Sequence, residues 1–381
     1  MKVKIEKSEL LGALRKATKP VSNKAVVPVL TGILVVSDEK GLTLTGSDSD
    51  LTVITNIPLD EESSLEVVKE GAIVLPAKEF LNIIRSLDNG EVEITVDDLK
   101  ANIIGGKANF VINGVSASEY PRINTDLSGG FTVETGVFNS LLNKTGYCTS
   151  TMETRPILTG VNLFSNSGNL GAIATDAHRL SRIYGVEVEG EITIPEEGIT
   201  IPAGTVKELP ALIGDSETVS VAHNKNQIVI KGDETIVVSR LLEGTYPDTD
   251  RLFPTDFQIE FVVNNDVLRS AFERAIILAD ENAVVRFNYE KEEGAMFETF
   301  YLSLKNGELG ASSEQVIADE VTGLDEFKLS FSAKYLIDAL KVMDSEKVRI
   351  KFSGEMKPFI VEPEEEEELE VKKLILPVRA Y

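Results

Sequence analysis

The strongest constraint on the fold of this chain is a strand-then-helix pattern that occurs three times along its 381 residues. Each copy opens with an alternating apolar strand and continues into an amphipathic helix. The three openings are VKIEKSELLGALRKATKPV from Val3, FTVETGVFNSLLNKTGYC from Phe131 and FQIEFVVNNDVLRSAFERAIILA from Phe257. A chain of this length is too long for one ordinary core, so the repeats predict three similar domains.

A second strand-helix block follows inside each repeat. These blocks are IVLPAKEFLNIIRSLDNGEVEI from Ile73, ITIPAGTVKELPALIGDSETVSV from Ile199 and LSFSAKYLIDALKVMDSEKVRI from Leu329. The pairs Tyr120-Pro121 and Tyr246-Pro247 lie 126 residues apart near the ends of the first two repeats. This spacing predicts domains over residues 1–125, 126–253 and 254–381.

The segments between the helical blocks are alternating or β-branched runs separated by Gly, Asp and Asn turns. Examples are GLTLTGSDSDLTVITNI and QIVIKGDETIVVSRLL, which are typical of antiparallel strands. The predicted fold class is therefore α+β, with two helices packed on antiparallel sheets in each domain.

Composition excludes several classes of protein. No apolar run approaches the roughly 20 residues that span a bilayer, so we expect a soluble protein with no membrane partner. Charges at Lys2, Lys4 and Glu6 interrupt any export signal, and the single cysteine, Cys148, suits a reducing cytoplasm. His178 and His223 are the only histidines, which nearly excludes a histidine- or cysteine-rich metal site, and no cofactor is expected.

The formal charge of −24 argues against a nucleic-acid partner, because non-specific DNA affinity comes mainly from Lys and Arg. The six predicted helices nevertheless have net charges between 0 and +2, with a total of +5. If all six helices faced one way, that surface would be mildly basic and suited to loose phosphate contact. The alternative is ordinary, because exposed helix faces often carry Lys and Arg.

The number of helices limits the size of any ring that they could line. Six helices spaced at roughly 10 Å would close around a lumen of roughly 9 Å, too narrow for a duplex about 20 Å across. Two chains would supply about 12 helices and a lumen of roughly 28 Å, which holds a duplex with a layer of water. If the chain forms a ring at all, a closed homodimer is expected.

Seven motifs distributed over the whole chain resemble those of a known family. They are VPVLTGILV at 27–35, LTGSDSD at 44–50, ETRPILTGVN at 153–162, ATDAHRLS at 174–181, SRLLEGTYPDT at 239–249, DALKVM at 338–343 and LILPVRAY at 374–381. With these motifs the chain resembles the bacterial DNA sliding clamps, the beta subunits of DNA polymerase III, and in particular those of Gram-positive bacteria.

The resemblance implies both a fold and a function. In that family each protomer has three similar domains with the DNA clamp fold, and two protomers close head to tail with helices lining the hole. The implied function is that of a processivity factor, which encircles double-stranded DNA without sequence specificity, slides along it and tethers other proteins. The implied partners are the catalytic subunit of the replicative polymerase, the clamp loader complex and other clamp-binding repair and replication proteins.

The family also binds short linear peptides of its client proteins between the second and third domains. Carried over to matching positions, that pocket would comprise Arg155, Leu158, Thr175, His178, Arg179, Leu180, Pro247, Arg251, Leu252, Ser332, Met356, Pro358, Leu374, Leu376, Pro377, Val378 and Arg379. The leucines and prolines could accept apolar anchors, and the polar side chains could hydrogen-bond the peptide. Taken singly, a leucine or proline in this set is more often a core residue. The apolar C-terminal Leu-Pro-Val-Arg segment independently suggests a docked tail.

Two further groups of residues are expected to make contacts. The positions expected to face DNA are Lys24, which matches a basic loop position of the family, and the helix-face residues Arg15, Lys16, Lys78, Arg85, Lys144 and Lys341. From the resemblance, the positions expected to meet at the dimer interface are Lys107 and Phe110 of the first domain and Ile277 and Leu278 of the partner's third domain. A helix end buried in its own domain would produce the same apolar run at residues 276–278.

The acidic run at residues 362–370 is a dense cluster of glutamates before the final strand. We expect a solvated hairpin tip, and a divalent-cation site is the alternative.

Two rival functions remain open at the sequence level. An enzyme could use His178 as a base with Cys148 or a serine as nucleophile, but no nucleophile-elbow, phosphate-loop or metal motif accompanies them. A purely structural repeat protein that neither encircles DNA nor binds clients is the second alternative, and it predicts a monomer.

Overall fold

The computed structural model describes residues 1–22, 25–126, 129–365 and 369–379. Within these ranges the strands are β1 Lys2–Glu6, β2 Gly32–Asp38, β3 Gly41–Ser47, β4 Leu51–Pro58, β5 Glu66–Lys69, β6 Gly71–Pro76, β7 Glu91–Asp97, β8 Lys100–Gly105, β9 Ala108–Asn113, β10 Gly130–Glu134, β11 Gly160–Asn166, β12 Asn169–Thr175, β13 Arg179–Val186, β14 Glu189–Glu191, β15 Ile199–Pro202, β16 Thr218–His223, β17 Gln227–Lys231, β18 Thr235–Arg240, β19 Ile259–Asn264, β20 Val284–Glu290, β21 Glu298–Asn306, β22 Gly310–Ala318, β23 Glu320–Gly323, β24 Glu326–Ser332, β25 Lys347–Phe352, β26 Phe359–Pro363 and β27 Glu370–Ile375.

The α-helices of the same ranges are α1 Lys7–Ala17, α2 Ala77–Ser86, α3 Thr135–Gly146, α4 Ala203–Ile213, α5 Asn265–Ala275 and α6 Ala333–Lys341. Each follows directly from a strand, as the repeated pattern predicts. The first helix ends at Ala17, because Pro20 disfavours helical backbone at Lys19. Helix α5 is followed directly by a single 3-10 turn, Ile276–Leu278.

One compact unit contains residues 1–139, 188–193 and 204–241. It has a five-stranded antiparallel sheet in the order β5-β1-β7-β8-β9 and a nine-stranded antiparallel sheet in the order β14-β10-β16-β17-β18-β4-β3-β2-β6. Leu10 and Leu14 of α1 and Phe80 and Ile84 of α2 are fully buried and pack into one core with the strands of the first repeat. These helices pack through the apolar stripe that their sequence predicts.

The other compact unit contains residues 140–187, 194–203 and 242–381. Its sheets have the orders β15-β11-β12-β13-β27-β26-β25-β19-β23 and β22-β21-β20-β24, again with antiparallel neighbours. Phe261 lies at the centre of its largest core, with edge-to-face contacts to Phe287, Tyr289 and Phe300 at ring-centroid distances of 5.1, 5.1 and 5.5 Å. Such aromatic contacts add to the free energy gained from apolar burial.

The sheets have a common plan in which each repeat supplies one row of four strands and one row of five. In the first repeat these rows are β6-β2-β3-β4 and β5-β1-β7-β8-β9. Each nine-stranded sheet joins the four-strand row of one repeat to the five-strand row of the next, through β4 with β18 and through β13 with β27. The compact units therefore cut across the sequence repeats, because backbone pairing continues from one repeat into the next.

Among the described helices, none combines the length and the apolar composition needed to cross a bilayer.

Candidate functional site

The turn between β12 and β13 and its flanking strand residues, 175–180, contain four of the expected pocket residues. The carboxylate of Asp176 accepts hydrogen bonds from the backbone N–H groups of His178 and Arg179 at 2.9 and 3.0 Å. The hydroxyl of Thr175 accepts from Ala177 N at 3.1 Å and donates to the Arg179 carbonyl at 2.7 Å. Ala177 adopts a positive φ of 74°, which these local bonds stabilise. The turn is thus rigidly built and presents His178 to solvent.

Arg179 is held from several sides. Its guanidinium donates to Asp176 at 3.0 Å and to Asp338 at 2.7 Å, and it lies 4.8 Å from the ring centroid of Tyr335. Burial opposes its charge, but the hydrogen bond to Asp338 and the nearby negative charges leave the pKa of Arg179 above its ordinary value. The ring of His178 stacks on the same Tyr335 ring, with the two ring centroids 6.2 Å apart. Arg179 therefore positions the turn, since its Nε and Nη1 atoms are held by the carboxylates of Asp176 and Asp338.

An apolar cluster lies beside this turn. It contains three of the expected leucines, Leu158, Leu180 and Leu374, which are at most 5 % exposed and pack with Ile173 and Tyr246. The partly buried residues against it are Ile157, Phe164, Phe253 and Leu376. The cluster thus has a closed floor and a partly open wall, which is the arrangement that accepts an apolar anchor of a ligand.

The C-terminal segment forms one side of the cluster. Strand β27 pairs with β13 so that Leu374 lies opposite Leu180 and Ile375 lies opposite Arg179. Beyond the strand, Leu376 N donates to the His178 carbonyl at 2.9 Å and Val378 N donates to the Ser330 carbonyl at 2.7 Å. The apolar tail is therefore hydrogen-bonded to the rest of the fold as far as Val378.

The remaining expected pocket residues differ in their exposure. Arg155, Pro247, Arg251, Leu252, Met356, Val378 and Arg379 are exposed, and Pro358 and Pro377 are half-buried. Leu252 and Met356 are 50 % and 56 % exposed, which is high for apolar side chains and suits a partner surface. Ser332 is buried, and its hydroxyl donates to the Asn282 carbonyl at 2.8 Å, so this hydroxyl is already committed within the fold.

Several members of the site carried no local signal in the sequence. Tyr335 and Asp338 lie on α6 and contact Arg179 across 156 and 159 positions of the chain. Arg182 donates to Asp250 at 2.6 Å and lies 4.3 Å from the ring centroid of Phe253. A cavity of about 690 Å³ adjoins the cluster and is lined by Phe164, Ile173, Arg182, Tyr246, Pro247 and Asp250, among others. Of these, only Tyr246 and Pro247 were marked by the repeated Tyr-Pro pair.

The basic residues expected to face DNA fall into two groups. Arg15, Lys78 and Arg85 are exposed and have no ion pair within the described ranges. Lys16, Lys144 and Lys341 each pair with a carboxylate, of Asp215 at 2.7 Å, Asp344 at 2.8 Å and Glu273 at 3.6 Å. Lys19 pairs similarly with Glu208 at 2.9 Å. Lys24 lies outside the described residues.

The residues expected at a dimer interface are mostly exposed. Lys107 lies in the β8–β9 turn, and Phe110 lies on the edge strand β9 with 36 % of its surface exposed. Ile277 is 74 % exposed, whereas Leu278 packs partly against the core of its own repeat. Strand β22 forms an edge of the four-stranded sheet.

The acidic run is described only in part, since residues 366–368 lie outside the described ranges. The carboxylate of Glu364 pairs with Arg349 at 2.9 Å, and Glu362 and Glu370 pair with Lys351 and Lys372. Within the described residues no cluster of His, Cys, Asp or Glu has the arrangement of a metal site.

Three family models match the chain in succession. They describe the N-terminal, central and C-terminal domains of the DNA polymerase III beta subunit and match residues 1–124, 132–248 and 250–379. The beta sliding clamp of Bacillus subtilis (strain 168) is 36 % identical over 390 residues, and that of Staphylococcus epidermidis is 34 % identical over 389, with all of each chain covered.

Solved structures show the same similarity. The DNA polymerase sliding clamp from Bacillus subtilis is 35 % identical with a TM-score of 0.91, and the DNA polymerase III beta chain from Streptococcus pneumoniae is 32 % identical with a TM-score of 0.92. Both comparisons cover 100 % of each chain. The architecture is thus that of a three-domain clamp. The chain belongs to the DNA polymerase III beta subunit family, the beta sliding clamps, which confirms the resemblance inferred from its motifs.

The reactivity of Cys148 provides a test of its burial in the structure. Its side chain is fully buried, and burial raises the pKa of the thiol to about 12. Because the thiolate is the reactive form, we expect Cys148 in the folded protein to react with a disulfide reagent at pH 8 more than ~100-fold more slowly than in the unfolded protein. Spectrophotometric titration with and without denaturant measures this ratio. Equal rates in the two states would contradict the buried placement and would reopen Cys148 as a nucleophile.

Proposed function

We propose that this protein is a non-enzymatic processivity clamp, which closes as a homodimer around duplex DNA, slides along it and holds client proteins by short peptides. The observation that carries the proposal is the full-length match to beta sliding clamps, together with the repeated strand rows of this chain. The proposed partners are the catalytic subunit of the replicative polymerase, a clamp loader that opens the ring, and further replication and repair proteins. The proposed compartment is the cytoplasm, and the proposed domain boundaries lie near residues 125 and 253.

The strand rows supply a physical reason for dimerisation. Two of the three repeats extend their four-strand rows through β4 and β13 into the five-strand row of the next repeat. The equivalent edge of the third repeat is β22, and the equivalent receiving edge of the first repeat is β9. Open strand edges are a liability that proteins cover. Pairing of β22 with β9 of a second copy covers both edges, and two such joints close a C2 dimer.

The side chains at these two edges suit such a joint. On β9, Phe110 and Val111 are 36 % and 64 % exposed, and on β22, Ile317 is 52 % exposed. Ile277, in the 3-10 turn after α5, adds a side chain that is 74 % exposed. A dimer of this kind contains about 12 helices, which is the number that a ring around a duplex requires.

The pairing of helix lysines accounts for sliding. Lys16, Lys144 and Lys341 already contact carboxylates, so any contact with a DNA phosphate competes with an existing ion pair. Exposed ion pairs contribute little stability and exchange readily. Contacts to phosphate are then weak and non-directional, and retention on DNA is topological.

The groove beside the 175–180 turn is the proposed client site. Its apolar cluster offers Leu180, Leu374 and Leu376, and the exposed Leu252 and Val378 extend the same apolar character to the surface. Clients would therefore bind as extended peptides with apolar anchors, and backbone groups of the tail would add hydrogen bonds.

Leu376 provides a test of the client site. Shortening Leu376 to Ala removes part of the open apolar wall, so we expect the affinity for a labelled Ser-Leu-Ser-Leu-Phe amide to fall about tenfold, near 1.4 kcal/mol. Fluorescence polarisation measures the dissociation constant. The matched control is Leu309→Ala, which shortens a leucine that is 63 % exposed in the β21–β22 turn. Equal affinities for wild type and Leu376→Ala would contradict this site.

Phe110 provides a test of the proposed pairing of β9 with β22 of a second copy. Phe110→Asp places a charge on β9, so we expect sedimentation equilibrium to change from about twice the chain mass of 41.6 kDa to the mass of one chain. Val68→Asp is the control, because Val68 is 51 % exposed on β5 at the opposite edge of the same sheet. A wild-type protein that is monomeric at every concentration would favour the structural repeat protein instead.

Asp215 and Asp344 provide a test of the ion pairs that hold the helix lysines. The double variant Asp215→Asn with Asp344→Asn releases Lys16 and Lys144, so we expect tighter binding to a short linear duplex, about 2- to 10-fold at low salt, with a steeper salt dependence. Anisotropy titrations at several salt concentrations provide the measurement. Glu292→Gln with Glu293→Gln makes the same change of charge at exposed positions in the β20–β21 turn. If both double variants shift the affinity equally, only net charge matters and the paired lysines have no special role.

A further inference from the structure

The junction of the first and second repeats is built like the junction that carries the client groove. Strand β4 pairs with β18 as β13 pairs with β27. Arg240 N donates to the Asp50 carbonyl at 2.8 Å, and Leu376 N donates to the His178 carbonyl at 2.9 Å. These two hydrogen bonds occupy the same place in the two junctions, one residue beyond the last paired positions, Ser239 with Leu51 and Ile375 with Arg179.

The turns that precede the paired strands are also alike. Asp48 accepts from the backbone N–H groups of Asp50 and Leu51 at 3.0 and 2.8 Å, as Asp176 does from His178 and Arg179. Ser49 N donates to the Ser47 hydroxyl at 3.2 Å, as Ala177 N donates to that of Thr175. Ser49 has a positive φ of 86°, close to the 74° of Ala177. Because three features agree, the two turns are the same structural element.

The apolar floor is equivalent as well. Each junction has a 3-10 helix that starts with a proline, Pro28–Thr31 and Pro156–Thr159. The buried leucine of the first is Leu30, which packs with Tyr120, just as Leu158 packs with Tyr246. Each tyrosine precedes a proline.

A cavity of about 230 Å³ lies at this first junction. Its apolar part comes from Leu30, Val238, Pro121 and Ile123, and Val238 occupies the position that Leu374 has in the client groove. Ser47 and Thr52, whose hydroxyls are 2.7 Å apart and hydrogen-bonded, supply a polar wall. The scaffold is thus retained while its lining has changed.

At two equivalent positions, the lining side chains of this cavity are more polar than those of the client groove, and one of them is basic. Thr52 stands where the groove has Leu180, and Arg240 stands where it has Leu376. Arg240 lies 3.5 Å from Asp50, and both side chains are more than half exposed, so that this pair is weak. Arg122 also lines the cavity, is exposed and has no ion pair within the described residues. Two guanidinium groups and one carboxylate, that of Asp50, therefore border an apolar floor, so the lining keeps a net positive charge in a chain whose net charge is −24.

We propose that this cavity is a second peptide-binding site, which takes a short extended acidic peptide. An apolar side chain occupies the floor at Leu30 and Val238, and a carboxylate binds Arg240 and Arg122, because guanidinium groups bind carboxylates with strong charge-assisted hydrogen bonds. The carboxylate can come from an Asp or Glu side chain or from a peptide C-terminus. The proposal rests on the proposed client groove only through the shared scaffold.

The test is a polarisation titration of the full-length protein with a labelled Gly-Asp-Leu-Asp-Gly amide. We expect Arg240→Gln and Arg240→Glu to weaken binding of this probe by about fivefold and more than tenfold, and to leave the Ser-Leu-Ser-Leu-Phe amide unaffected. We expect Leu376→Ala to do the opposite. The labelled peptides Gly-Asp-Leu-Asp-Gly with a free C-terminus and Gly-Ser-Leu with a free C-terminus distinguish a side-chain carboxylate from a terminal one.

Three outcomes would overturn the second site. These are no binding of any acidic probe to the wild-type protein, equal binding by wild type and both Arg240 variants, and displacement of the acidic probe by the Ser-Leu-Ser-Leu-Phe amide. Circular dichroism of the Arg240 variants identifies a loss of fold, which is not expected because this side chain is exposed. If the apolar probe fails to bind while the acidic probe responds to Arg240, the client groove is wrong and the second site stands.

Discussion

The pairing of strand edges between successive repeats is the interaction on which the rest of this structure depends. A row of four strands ends in an edge whose N–H and C=O groups need partners, and the next repeat supplies them through β18 or β27. Each joint turns two separate rows into one continuous nine-stranded sheet. Within each nine-stranded sheet, the two rows are then held together by backbone hydrogen bonds as well as by side chains.

The two proposed binding sites lie at these same joints. A ligand groove needs two walls that do not come from one compact core, and the place where two rows meet provides them. At β13 and β27 the walls are apolar, with Leu180 opposite Leu374, whereas at β4 and β18 the corresponding pair is Thr52 and Val238. A repeated architecture can thus hold different ligands at equivalent joints, because the backbone frame is shared and only the lining side chains differ.

The sequence predicted the parts of this structure that depend on local pattern. Helices α1 to α6 and the threefold repeat follow from apolar periodicity, because residues that are buried in the core recur at the period of the helix or strand. The pocket residues followed from the family resemblance alone. The clustering of Leu158, Leu180 and Leu374 depends on strand pairing between residues almost 200 positions apart, which no local pattern records. The pair of Lys16 with Asp215 joins positions 199 apart and was missed for the same reason.

Lys373 shows how a residue that looks like an ordinary polar strand residue is accommodated within such a joint. Its position corresponds to Val237 in the other joint, yet it is fully buried. Its ammonium group donates to the Lys144 carbonyl at 3.0 Å and to the Ser181 hydroxyl at 3.3 Å, and it lies 4.7 Å from the ring centroid of Tyr147.

A buried charge is costly unless polar groups surround it, and the carbonyl end of a helix is one of the few backbone features that favour a cation. Lys144 lies in the last turn of α3, and Ser181 also donates to its carbonyl at 2.7 Å. The ammonium group of Lys373 on β27 therefore binds both the end of α3 and strand β13. An apolar residue at this position would pack without this directional requirement, so the lysine makes the client-side joint more specific in geometry than its equivalent.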